Sequence, residues 1–153
     1  MGEAKSLYDE DFLLWSKEQA ANLRAAAKGG SNQALDWEHI AEEIEDLGKS
    51  NRRELYSRLL VVLEHLLKLQ HSPTANPRNG WKATVVRERA RIEALLDDSP
   101  SLRGELAELV DKARPQAARS AAYSLSRRRE AAARLAPPDY SVEQILGDWF
   151  PER

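Results

Sequence analysis

The chain contains no cysteine, which excludes disulfides, thiolate metal sites and cysteine nucleophiles. That fits a reducing compartment, and the expectation is a cytoplasmic protein. No apolar run approaches the roughly 20 residues that a membrane-spanning helix needs. The first residues, Met1-Gly2-Glu3-Ala4-Lys5-Ser6, lack the apolar centre of a signal peptide. Gly2 and Ser6 do fit the myristoylation pattern, but the pattern is so permissive that a chance match is the expected reading. No stretch alternates apolar and polar residues as a strand does, and no internal repeat is visible.

What is present is an ordinary globular balance, 42% apolar and 31% charged over 153 residues. That length suits one domain able to bury about 68–70% of its unfolded surface. The net charge of −2 hides an asymmetry. Residues 1–48 hold 11 acids and 4 bases, whereas residues 49–153 hold 14 acids and 19 bases. Such a split can mark a face for nucleic acid or an acidic partner. The expectation favoured here is that the acidic front half packs against the basic back half.

Periodicity predicts about five helices. The first spans Asp9 to Ala27, with Tyr8, Phe12, Trp15, Gln19 and Leu23 at three- and four-residue intervals. Lys28-Gly29-Gly30 ends it. Asp36 then caps a long central helix reaching Leu69, about 51 Å at 1.5 Å per residue. Its stripe runs through Trp37, Ile40, Ala41, Ile44, Leu47, Asn51, Leu55, Leu59, Val62, Leu66 and Leu69. Gly48 interrupts it, and a glycine costs up to about 1 kcal/mol there, so either a close helix crossing or a bend is expected. After a loop at 72–80, a third helix runs from Trp81 to Asp97, with Trp81, Val85, Glu88, Ile92 and Leu95 inward. Asp98-Ser99-Pro100-Ser101 breaks the chain and restarts it. The fourth helix carries an alanine stripe towards Leu135, and Pro115 is expected to kink or split it. Ser141-Val142-Glu143-Gln144 reads as a capping box for a short last helix. The fold class is therefore a single-domain all-α bundle over residues 1–153, with a loose tail at 1–7 and a short helix and tail at 136–153.

These landmarks resemble a family of small bacterial helical proteins known only as a domain of unknown function, the one numbered twenty-nine. The resemblance rests on Tyr8-Asp9-Glu10-Asp11-Phe12 with Trp15, and on the block from Leu35 to Ser50 around Trp37-Glu38-His39-Ile40-Ala41-Glu42-Glu43. It continues in Arg52-Arg53-Glu54-Leu55, His65-Leu66-Leu67-Lys68, Trp81, Asp98-Ser99-Pro100-Ser101-Leu102 and Tyr140-Ser141-Val142-Glu143-Gln144-Ile145-Leu146. It covers nearly the whole chain and implies architecture, since the family brings no established activity, cofactor or catalytic residue. His39 stands where an Asn is commoner, which weakens a metal role for that histidine.

Four features are candidates for chemistry. Glu42 and Glu45 on the long helix, with Glu108 and Asp111 on the fourth, have the spacing of paired carboxylates that hold Mg²⁺ and activate water in helical phosphohydrolases. The Glu-x-x-His ligands of a di-iron site are absent. His65, with Arg58 on a similar line, reads as a buried polar site in which the imidazole satisfies a carbonyl or carboxylate; a general base is the sharper alternative. Arg87 and Arg91 with Arg127 and Arg128 are candidates for binding anions, including a phosphate backbone. The run Leu59 to Leu67, apolar on nearly every side, is enclosed within the domain or forms a homodimer interface. The expected function is non-enzymatic: association with itself or with another protein, without a cofactor and without a membrane. The alternatives are an Mg²⁺-dependent nucleotide phosphohydrolase and a nucleic-acid-binding accessory protein.

Overall fold

The computed structural model describes residues 6–30, 32–129 and 134–152. Its elements are α1 (Leu7–Glu10), α2 (Phe12–Lys28), α3 (Trp37–His71), α4 (Arg78–Asp98), a 3₁₀ segment (Pro100–Glu105), α5 (Leu106–Arg127) and α6 (Val142–Leu146). There is no strand among the described residues, so the all-α expectation holds. The chain forms two compact units. Unit 1 comprises Met1–Glu54 and Ala94–Arg103; unit 2 comprises Leu55–Glu93 and Gly104–Arg153.

Unit 1 departs from its periodicity at the start. The expected first helix breaks at Asp11, whose backbone is extended at φ −156° and ψ 98°. Its buried carboxylate accepts from Leu14 N at 2.9 Å, from Ser101 N at 2.7 Å and from Ser101 Oγ at 3.0 Å. Capping α2 and satisfying Ser101 outweigh one more turn of helix. The buried line of α2 is Leu13, Ser16 and Ala20, one register away from the aromatic line. Tyr8, Phe12 and Trp15 form their own ring cluster instead, with centroids 4.9–5.8 Å apart.

The glycine in the long helix marks a close crossing. A Cβ at Gly48 would run into Ser16 Oγ and lie 3.1 Å from Leu13 Cδ1. Only the missing side chain lets α2 approach so near. The same crossing leaves the neighbouring Leu47 exposed, against the expectation that it belongs to the buried stripe. Asp36 caps α3 as expected, accepting from His39 N at 3.4 Å.

Unit 2 is built on the apolar run. Leu55, Leu59, Val62, Leu63, Leu66 and Leu69 are fully buried, as are Val85, Ile92, Leu109, Val110, Leu125 and Ile145 of the same unit. Each such leucine contributes about 1.5–3 kcal/mol by leaving water. Of the two readings of the run, enclosure describes Leu59, Val62, Leu63, Leu66 and Leu67, which are buried by their own chain, while Leu60 and Val61 stay partly exposed. Helix α4 begins at Arg78, three residues before the expected Trp81. Ser99 is followed by 3₁₀ structure rather than directly by α-helix. Pro115 does not split α5. Pro115 is exposed, while Ala113 and Ala117 are buried on the opposite face and Ala121 beside them. That packing offsets the roughly 3 kcal/mol an interior proline costs. The continuation towards Leu135 passes through 130–133, outside the described residues. The capping box at Ser141 forms with both reciprocal bonds to Gln144.

Candidate functional site

In unit 1 three of the segments that carry the family resemblance meet, those around Asp11, Asn51 and Ser99. Ser99 Oγ accepts from Leu13 N and from Asn51 Nδ2, each at 3.2 Å, beside the Asp11–Ser101 bonds. A cavity of about 380 Å³ next to this junction is lined by Tyr8, Asp9, Phe12, Asn51 and Asp98. The buried polar atoms here answer one another. They pin the start of α2 to α3 and to the turn after α4, and the chemistry they show is structural.

The acidic stretch of α3 is answered locally. Glu45 accepts from Arg24 at 2.7 Å and pairs with Lys49 at 2.9 Å, and Arg24 also meets Glu38 at 3.1 Å. For Glu38 and Glu45 the partners are thus a neighbouring helix and the next turn of α3. Arg24 first and Lys49 second hold the Glu45 carboxyl down at about 2. Asp36 Oδ2 lies 2.5 Å from His39 Nδ1 and raises the imidazole pKa above its usual range. Glu42 is exposed, as is Glu108 on α5. Asp111 bonds Arg114 Nε at 3.1 Å. Among the described residues, no group of three or more His, Asp or Glu could hold a metal ion.

The polar centre of unit 2 lies between α3 and α4. Glu88 is buried and holds Arg58 Nη1 at 2.9 Å and Arg91 Nη1 at 3.2 Å. His65 Nδ1 lies 2.8 Å from the Val61 carbonyl. A carbonyl only accepts, so Nδ1 carries the proton and Nε2 the lone pair. Burial, helped by the nearby Lys68, pushes the His65 pKa down. The histidine thus serves its own helix. Lys68, also buried, lies 5.1 Å from the Trp81 ring centroid and 3.8 Å from Glu64. Arg128 stacks near the same indole at 5.6 Å, and burial first, then Glu64 against Arg128, sets a lowered Lys68 pKa.

The arginines singled out for anions have separate attachments. Arg91 is on Glu88, Arg127 lies 6.0 Å from the Tyr123 ring, Arg128 is on Trp81, and Arg87 is exposed. Sequence reasoning missed the more consequential arginines. Arg89 donates to the carbonyls of Gln144, Ile145 and Trp149 at 2.6–2.9 Å and lies 4.9 Å from the Phe150 ring. Arg114 donates to the carbonyls of Pro138 and Tyr140. Arg78 caps the Leu69 carbonyl at the end of α3. A guanidinium satisfies free C-terminal carbonyls and the negative helix end together. The one signal was position: Arg89 follows Glu88 on the inner side of its helix.

Fold and sites define an all-helical protein whose ionic groups largely serve its own packing. Nothing among its described helices is long and apolar enough to cross a membrane. The chain belongs to the family described as Domain of unknown function DUF29, whose profile matches residues 7–150, and the resemblance read from its motifs is borne out. It is similar to an alpha-helical protein of unknown function from Rhodospirillum rubrum ATCC 11170, solved at 1.45 Å resolution. The two are 29% identical, the match covers 94% of this chain and 90% of that one, and the TM-score is 0.77. No curated protein matches the chain.

Proposed function

We propose that the chain is a non-enzymatic helical interaction module, associating with itself or with another protein through unit 1. The observation that carries this reading is apolar exposure. Tyr8, Leu14, Leu35 and Leu47 stand 45–53% exposed on a unit that buries few large side chains. Leu14 and Leu47 are the chain neighbours of the two residues that meet at the crossing, Leu13 and Gly48. Large apolar side chains left in water near one another are the usual mark of a contact surface. Unit 1 also holds 14 acids against 8 bases. An apolar surface bordered by Lys and Arg would complement it, from another protein or from unit 2 of a second copy, which holds 15 bases against 11 acids.

The test is sedimentation velocity from low to high micromolar concentration, joined to cross-linking in cell extract. The reading expects either a concentration-dependent oligomer or a specific cross-linked partner. It also expects that Leu14→Glu with Leu47→Glu abolishes whichever is seen while helicity is kept. A strict monomer with no cross-linked partner, or association untouched by the double variant, removes it.

A further inference from the structure

A cleft of about 480 Å³ opens along α5 in unit 2. That volume falls within the 300–1,000 Å³ range of small-molecule sites. Its floor is apolar, made by Pro115, Ala118, Ala122, Leu135 and Pro137. Its remaining lining among the described residues is Tyr123, Ser126, Arg119 and Arg134, none of them a carboxylate. Tyr123 is 65% exposed and offers a ring face. Ser126 Oγ is already donating to the Tyr123 carbonyl at 2.7 Å. Arg119 donates to the neutral Gln116 amide oxygen at 2.8 Å, which leaves its charge unmatched at that contact. Arg134 is exposed, with no carboxylate partner among the described residues. Arg127 Nη1 bonds the Tyr123 hydroxyl at 3.4 Å and adds positive potential beside the cleft.

We infer that this cleft binds a small free carboxylic acid with an aromatic or otherwise apolar body. The body lies on the proline and alanine floor beside Tyr123, and the carboxylate meets Arg119 and Arg134. The chemistry follows from the described lining: greasy floor, one exposed ring and two guanidiniums with no acid among the described lining residues. Guanidinium forks match a carboxylate in geometry as well as charge. The inference stands apart from the association reading, because it uses unit 2 and needs no partner protein.

Calorimetric titration of the full chain with 4-phenylbutyrate and with its uncharged amide tests it. The acid is expected to bind at least about tenfold more tightly than the amide, the factor that about 1.4 kcal/mol represents. Arg119→Gln combined with Arg134→Gln is expected to lose that factor at an unchanged melting temperature. Ala122→Trp, which fills the floor, is expected to abolish binding of both ligands. Equal affinity for acid and amide overturns the inference, as does failure of the acid to saturate. Full binding retained in the arginine variant or in Ala122→Trp overturns it too. Tighter binding of a peptide ending in a free phenylalanine carboxylate would overturn the assignment to a small molecule.

Discussion

The two units reach order by different means. Unit 2 buries long aliphatic side chains, with Leu55, Leu59, Leu63 and Leu66 fully enclosed, and its arginines hold backbone carbonyls. Unit 1 packs small and polar residues: Ser16, Ala20, Ala41 and Gly48 at its interior, with Asp11 and Ser99 buried and hydrogen-bonded. Burial of apolar area is non-directional and tolerant of exchange. Buried hydrogen bonds are directional, and removing one partner exposes the full desolvation penalty of the other. One chain thus contains a region held by volume and a region held by geometry. The second leaves Tyr8, Leu14, Leu35 and Leu47 in water, the first Val86 and Tyr123.

The contrast can be broken most sharply at Leu59. Leu59→Ala should destabilise unit 2 by about 4 kcal/mol through lost transfer energy plus a cavity, read from urea unfolding. A cost under about 1 kcal/mol would mean that the core collapses around the gap and is not closely packed. In unit 1 the corresponding test is polar. Asp11→Ala should cost about 3 kcal/mol, because it removes a helix cap and strands the half-buried Ser101 N–H. Hydrogen exchange should show the loss at the start of α2 and at the turn after α4. A near-neutral Asp11→Ala would erase the distinction between the units.

A smaller effect is expected at the crossing. Gly48→Ala should cost about 1–2 kcal/mol, since overpacking against Ser16 and Leu13 exceeds the gain in helix propensity. Adding Ser16→Ala, which removes the hydroxyl that the new methyl meets, should recover much of it in a double-mutant comparison. The smallest effect depends on pH. Burial depresses His65 from its ordinary value of 6.5, so the unfolded chain binds a proton that the folded chain resists. Stability attributable to His65 therefore falls as pH drops below about 6.5, towards the depressed folded value, and is restored above it. His39 has the opposite sign, because its folded value is raised by Asp36. Its contribution is full below 6.5 and lost as pH climbs through that raised value. His65→Asn should flatten the acid-side loss in urea melts between about pH 5 and 7, leaving the His39 contribution in place. An unchanged slope would place the imidazole in water.

Much of the fold was legible because it is written in local spacing. Leu59, Val62, Leu66 and Leu69 repeat at helical intervals, and all four are buried. The box Ser141 to Gln144 needs only four consecutive residues, and it forms. Leu47 broke its stripe because the helix facing it comes close enough to seat on the glycine beside it. Asp11 broke an apparently continuous helix because its acceptors are claimed by Ser101, 90 residues away in the chain. The candidate sites were least legible. Glu45 has the right spacing for a metal ligand, yet spacing carries no information about Arg24, which occupies it in the structure.

The amino-acid order alone determined that this chain is helical, that a capping box opens its last helix, and that Leu59, Leu66 and Leu69 of the central run go inside. Those outcomes depend on neighbours three and four residues apart along one backbone. Tertiary structure alone decided which glycine becomes a contact, which arginines tie down carbonyls instead of facing an anion, and which leucines stay wet. Each of those depends on groups that packing brings together from distant parts of the chain, where charge and hydrogen-bond partners are assigned by proximity in space.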